Sequence, residues 1–241
     1  MLTTPTTHKI TWEKLPDDFV LDDEPVDNIN QPLLAAALTE SLEIAGKLPA
    51  NALTTTNYGI SATLNNPLVV KAPDWSYIPS IKSRDEVKRS YTPRLQGDIP
   101  AIVMEFLSDT EGGEYSSKPT YPPGKWFFYE QILQVLNYAI FEPDYGVLEV
   151  YHLDNSGRYE LQTADANNRY WIAQMQLFLG VWEGIRENRT GYWLRWWNEN
   201  GELFLWASEL AIIERQRAEA ESQRAERLAQ QLRAAGIEPL E

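Results

Sequence analysis

Glu105 interrupts an apolar run, Ile-Pro-Ala-Ile-Val-Met-Glu-Phe-Leu, over residues 99–107. An ionised carboxylate inside such a strand is costly unless it is paired or binds a metal. Asp74 precedes it by 31 residues, after Pro73 and at the end of another apolar run. Lys125 follows it by 20 residues, where a helical pattern begins. Two carboxylates and one ammonium are the smallest set for metal-assisted hydrolysis. The carboxylates supply hard oxygen ligands for a divalent ion such as Mg²⁺, with Mn²⁺ an alternative. The ion acidifies a water and screens charge developing on a phosphate. The ammonium positions that water or steadies the phosphorane.

Each of these residues has a plainer reading. Asp74 after Pro73 suits a turn. Glu105 suits a structural ion pair. Lys125 suits a side chain snorkelling at a helix start. The basic run Lys82, Arg84, Lys88, Arg89 and Arg94, tempered by Asp85 and Glu86, is the cluster of the body that could grip nucleic-acid phosphates. A solvated loop face explains it equally well. Tyr115, Tyr121 and Trp126 could stack on bases, although such residues more often simply pack. Glu111 and Glu114 speak against a phosphate-binding loop at Thr110-Glu111-Gly112-Gly113-Glu114, and no Lys-Ser/Thr follows at P-loop spacing. The sequence contains no G-x-G-x-x-G, G-x-S-x-G or H-E-x-x-H.

The elements that must position these residues follow from periodicity. Residues 1–31 read as an acidic arm, with Pro5, Pro16, Pro25 and Asp22-Asp23-Glu24. Pro32 opens a helix whose apolar positions Leu34, Ala37, Leu38, Leu42 and Ala45 share a face, and Pro49 ends it. Residues 58–64 and 67–72 read as strands about an Asn65-Asn66 turn. Residues 79–98 are loop with one helical turn. The unbroken apolar run at 99–107 predicts a strand covered on both faces. A long loop, 108–124, is of the kind that often carries function. Residues 125–136 read as a helix, 138–142 as a strand, and 147–153 with 158–161 as a hairpin. Residues 170–182 and 192–197 are aromatic-rich strands.

From Ser208, a plausible N-cap, a long charged helix is expected. Gln-Arg-Ala-Glu occurs at 216–219 and again at 223–226, and Ala211, Ala218, Ala225 and Leu232 share a heptad position. A solvated helix held by i,i+4 charge pairs and a dimer contact are equally open readings. The domain division expected is therefore an arm (1–31), a body (32–207) and the helix (208–241).

Composition narrows the function classes. The 241 residues contain no Cys, which removes disulfides, thiolate nucleophiles and Cys-based metal sites, and only two His, His8 and His152. Apolar residues make up 43% and charged residues 23%, the balance of a globular chain. No 18-residue apolar stretch spans a membrane and no basic-then-apolar leader opens the chain, so the expected compartment is cytoplasmic. The net charge of −14 speaks against passive coating of DNA. The arm exaggerates it: residues 9–27 hold seven acids against two bases.

Pro73-Asp74, then Met104-Glu105-Phe106-Leu107-Ser108, then Gly124-Lys125-Trp126-Phe127-Phe128-Tyr129, resemble the Uma2 family. That family is a restriction-endonuclease-like group abundant in cyanobacteria. Its pattern is Pro-Asp on one strand, Val-Glu-Val-Leu-Ser on the next, and a helix with Lys followed four residues later by Tyr. The likeness is clearest over about residues 57–153, and the aromatic C-terminal segments and charged helix resemble its longer cyanobacterial members. The resemblance implies a PD-(D/E)XK fold of the α/β (α+β) class: a mixed sheet flanked by helices, with the long C-terminal helix appended. It implies Asp74, Glu105 and the Phe106 carbonyl as metal ligands. It also implies Lys125 as the migrated lysine, since Leu107 stands where the usual lysine would. A first-helix acid is common in the fold; Glu40 is the choice, with Glu43 equally defensible. Tyr129 and Gln131 would support the site.

Two functions compete. A Mg²⁺-dependent DNA endonuclease, as a homodimer acting on two strands, accounts for Asp74, Glu105 and Lys125. A non-catalytic interaction module, using the arm and the C-terminal helix, accounts for the charge and the heptads but leaves Glu105 unexplained. A carbohydrate-binding β domain is disfavoured because the aromatics fall on apolar-periodic positions.

Overall fold

A computed structural model describes residues 9–14, 31–107 and 113–235. They fall into two compact units, up to Phe204 and from Leu205. The described residues are mixed α+β, with three sheets and three main helices among them. The acidic run Asp22-Asp23-Glu24 lies outside the described residues. Within the expected arm, Ile10–Thr11 forms a strand, β1.

Helix α1, Gln31–Ile44, buries Leu34, Ala35, Ala37, Leu38, Ser41 and Leu42, the face read from the spacing. Four short strands follow: β2 (Leu53–Thr55), β3 (Ile60–Leu64), β4 (Leu68–Lys71) and β5 (Trp75–Ile78). β3 and β4 form the expected hairpin. Its turn residues Asn65 and Asn66 both have positive φ, which Asn tolerates and a tight hairpin needs. β1 pairs with β3, completing a three-stranded sheet.

The central sheet has six strands in the order β2-β5-β6-β7-β8-β9, with β6 at Ile102–Phe106, β7 at Asn137–Glu142, β8 at Val147–Leu153 and β9 at Tyr159–Leu161. Only β6 and β7 run parallel. A parallel pair needs a long crossover, and residues 107–136 supply it. All five residues of β6 are buried, as a strand covered on both faces requires.

That crossover holds a helix, but not a regular one. Its first turn, α2 (Lys125–Phe127), runs into a π-helical segment, Phe128–Leu133, which ends at Gln134 with φ 58°. The wider π turn is a local distortion that periodicity does not reveal. Before it, Gly113–Tyr115 forms a 3-10 turn. Gly124 has no room for a side chain: an added Cβ would sit 1.9 Å from the Ser116 carbonyl oxygen. Gly124→Ala must therefore push the loop away from α2. We expect a cost of about 1–3 kcal/mol, read as a melting point lowered by about 2–4 °C per kcal/mol.

The aromatic segment at 170–182 is two strands rather than one: β10 (Arg169–Ile172) and β11 (Leu177–Arg186). A turn between them places Gln176 at φ 55°. β12 (Arg189–Trp197) follows through Glu187-Asn188, both at positive φ. Asn188 is a turn residue and Glu187 is not, so the pair carries only half of the usual hairpin signal. The three strands form a sheet, and α1 packs against β12.

The second unit holds α3, Ala207–Ala234, which has no buried side chain. Ser208 lies inside it and does not cap it. The cap position is Trp206, whose backbone N–H donates to Glu209 Oε2 at 2.8 Å. Ion pairs Arg215–Glu219 and Arg217–Glu221 link successive turns. Among the described residues, no helix is long and apolar enough to cross a membrane.

Candidate active site

Side chains alternate across a strand, and this alternation assembles the site. Trp75 and Met104 are register partners, and the Trp75 indole N–H donates to Thr39 Oγ1 on α1. One face of β5 and β6 thus belongs to α1. Asp74 precedes Trp75 and Glu105 follows Met104, so both point to the opposite face, where α2 lies. Asp74 Oδ2 accepts the Phe106 backbone N–H at 2.6 Å.

On that face Glu105 is fully buried. Its Oε2 accepts from the Lys125 ammonium at 3.0 Å and its Oε1 from the Tyr129 hydroxyl at 2.8 Å. Lys125 and Tyr129 stand four residues apart, so successive turns deliver one donor to each oxygen. The Lys125 ammonium also donates to Glu114 Oε1 at 3.2 Å. Its side chain keeps 28% exposure, so the site opens to solvent on the lysine side.

The charges are strained in a definite direction. Burial pushes the Glu105 carboxyl up to about 8; Asp74 adds to this, and Lys125 and Tyr129 oppose it. Burial likewise pushes Asp74 up to about 6, against the pull of the Phe106 N–H and of Lys125. Burial alone would lower the Lys125 ammonium, but Glu105, Glu114 and Asp74 together hold it above its ordinary value. It stays a cation. Burial, then Glu105, holds the Tyr129 hydroxyl well above the usual tyrosine range, so it stays a donor.

The donor set suits a hard divalent ion: two carboxyls and, next to Glu105, the Phe106 carbonyl. Two acids whose burial raises their proton affinity are what such an ion relieves. Among the described residues no group of three or more His, Asp or Glu has metal-holding geometry. An ion here would therefore keep several waters, as Mg²⁺ does beside one or two carboxylates.

The structure brings together Asp74, Glu105, Phe106, Lys125 and Tyr129, and not the other candidates. Glu40 forms an ion pair with Arg186 on β11. Glu43 is exposed near the end of α1. Both belong to the helix on the far face of the sheet. The α1 residue that meets this end of β6 is Gln31, whose amide donates to the Phe106 carbonyl at 2.8 Å. Glu40 stands about 13 Å further along the helix at 1.5 Å per residue. Gln131 donates to Glu130 and to the Gly157 carbonyl.

The basic run also lies elsewhere. Asp74 stands before the first residue of β5, and residues 79–98 leave from its other end. Lys82 donates to the Leu95 carbonyl, and Arg84 to the Ala52 carbonyl next to β2. Lys82 and Arg94 line an open cavity of about 950 Å³ there, with Asp98 and Asp154. Lys88 and Arg89 line a second, of about 520 Å³, with Asp85 and Glu86. The lysine whose charge reaches the site is Lys71, at the end of β4, and the charge of Lys118 in turn reaches Lys71. Sequence spacing missed both because they stand alone among uncharged neighbours.

Of the aromatic candidates, Trp126 packs edge-on against Tyr138, Tyr151 and Tyr159, while Tyr115 stacks on it. Tyr121 is 58% exposed.

The sequence profile of the Uma2 family, described as "Putative restriction endonuclease", matches residues 28–186. No curated protein matches the chain.

Proposed function

The chain belongs to the Uma2 family, and from that premise we propose that it is a Mg²⁺-dependent endonuclease hydrolysing phosphodiester bonds in DNA. The observation that carries the reading is Glu105. It is a carboxylate buried completely on a central strand, facing Asp74, with Lys125 and Tyr129 aimed at its two oxygens. So costly an arrangement is more typical of a functional site than of a structural ion pair.

Asp74, Glu105 and the Phe106 carbonyl would hold the ion. When bound, it would supply Lewis-acid activation of water and charge screening at the phosphate. The chain's own groups do the rest. The Phe106 N–H fixes the Asp74 carboxylate, and the Tyr129 hydroxyl fixes Glu105. Lys125 holds a permanent positive charge at the open side, where a non-bridging phosphate oxygen gains charge in the transition state. In the reaction water oxygen attacks phosphorus and gives up one proton to solvent, the P–O bond to the departing sugar oxygen breaks, and that oxygen takes up one proton from solvent.

A calorimetric titration of Mn²⁺ into the wild type and Glu105→Ala tests the reading. Saturable binding is expected in the wild type and not in the variant, with or without a DNA duplex. Absence of binding in the wild type under both conditions would sink the nuclease and favour the non-catalytic interaction module.

A further inference from the structure

The Lys125 ammonium lies between two carboxylates of different standing. Glu105 belongs to the buried core of the site. Glu114 belongs to the covering loop, and its side chain is 16% exposed. The backbone around Glu114 is pinned independently of that contact. Its own carbonyl accepts the Tyr138 hydroxyl at 2.9 Å, and the Tyr115 hydroxyl donates to Glu149 at 2.7 Å. The Glu114 side chain can therefore leave Lys125 without unfolding its turn.

Two more cations flank the same place. Lys71 ends β4, three residues before Asp74, and its ammonium lies in the fields of Lys125, Glu105 and Lys118. The Lys118 carbonyl accepts the Gly124 N–H at 2.9 Å, which brings Lys118 beside the start of α2. The Tyr121 hydroxyl reaches the Leu68 carbonyl at 3.3 Å, holding that loop along β4. Lys125 thus faces three acids, Asp74, Glu105 and Glu114, with Lys71 in the field of Glu105 and Lys118 in that of Lys71. A divalent ion on Asp74 and Glu105 leaves Glu114 as the one acid not engaged by it. The balance around the lysines then favours an incoming anion.

We propose that Lys71, Lys118 and Lys125 form the subsite that grips the phosphate backbone of the nucleic-acid strand, and that the Glu114 carboxylate occupies this subsite in the free protein and is displaced as the strand enters. The inference rests on the nuclease reading and specifies how a chain of charge −14 takes an anionic substrate. A local cationic pocket is opened by exchange of one carboxylate for one phosphate.

The test is fluorescence anisotropy of a labelled short DNA duplex with the full chain. Ca²⁺ replaces Mg²⁺ to suppress cleavage, and affinity is read over a range of NaCl concentrations. Glu114→Gln is expected to tighten binding about fivefold or more, because a like charge beside the phosphate is removed. Lys118→Gln, at an exposed position, is expected to weaken binding and lower the salt slope by about one. Adding Lys71→Gln should lower the slope by about one more, to a total loss of about tenfold. Unchanged or weaker binding by Glu114→Gln would overturn the gate, leaving Glu114 a positioning residue for Lys125. A loss that instead follows Lys88→Gln with Arg89→Gln would overturn the subsite. Cleavage in Mg²⁺, measured in parallel, separates the two readings. The expected binding pattern without cleavage leaves the subsite standing and removes the hydrolase. Cleavage with the Lys88 and Arg89 pattern does the reverse.

Discussion

Glu105→Gln is expected to melt at a higher temperature than the wild type at pH 8 in chelator, and to lose Mn²⁺ binding and cleavage together. In the folded protein the Glu105 carboxyl is raised from 4.5 to about 8, and Asp74 from 3.8 to about 6. A raised carboxyl pKa means that the folded state binds the proton more tightly than the unfolded one. The stability this contributes is fully present below the unfolded values, near pH 4. It is lost as pH rises through 6 for Asp74 and 8 for Glu105. The wild type without metal should therefore become steadily less stable from about pH 4 to pH 8. Gln has the same shape and carries no charge, so the upper part of that loss should disappear in the variant.

Mn²⁺ should reverse the order. A ligand that binds only the folded state adds about 2.7 kcal/mol at 100 times its Kd, and the variant gains none of it. Cleavage should fall by about 10³-fold, since the ion's charge stabilisation is worth several kcal/mol. Melting curves at pH 5 and 8, with chelator and with Mn²⁺, check all of this. A variant less stable than the wild type at pH 8 in chelator would mean that Glu105 is there as an ion-pair partner and nothing more.

Lys125→Gln is expected to lower cleavage by about 10²–10³-fold, the range for loss of one preorganised donor to a developing oxyanion. Mn²⁺ affinity should be largely kept: removing a cation 3.0 Å from Glu105 takes away a charge that repels the ion, which offsets the tighter hold on the proton that its removal also gives Glu105. This split between metal binding and turnover identifies the lysine's role. If Mn²⁺ affinity falls along with cleavage, Lys125 serves only to hold Glu105 in place. Tyr129→Phe removes one hydrogen bond to a charged group, about 1.5–3 kcal/mol. Its effect on cleavage should be smaller than that of Lys125→Gln and should appear partly in metal affinity.

Much of the central sheet was legible residue by residue. The apolar run at 99–107 holds a strand covered on both faces, Ile102–Phe106, because only a buried strand can lack polar alternation. In the three-stranded sheet, Asn65-Asn66 marks the β3–β4 hairpin because Asn accepts positive φ. Less was legible where tertiary context overrides local signals. The π-helical turn at Phe128–Leu133 has the same residue spacing as an ordinary helix to within sequence resolution. The β11–β12 hairpin turns on Glu187-Asn188, a pair without glycine and with only one turn-favouring residue. A Trp at the cap position displaces the expected Ser208, because the Glu209 side chain does the capping.

The sequence by itself determined the local chemistry. It placed a carboxylate in a buried strand, a second acid after Pro73, and a lysine four residues before a tyrosine. Burial and spacing along one element are local properties. Only the tertiary structure decided which charges meet. Register and strand alternation turned Asp74 and Glu105 onto one face and left Glu40 with the helix on the other. They also set the clustered basic residues at the far end of β5, and brought the isolated Lys71 into the field of Glu105, with Lys118 close to it. Clustering in sequence reports a loop's composition, whereas convergence at a site depends on strand order and crossover path, which one-dimensional spacing does not contain.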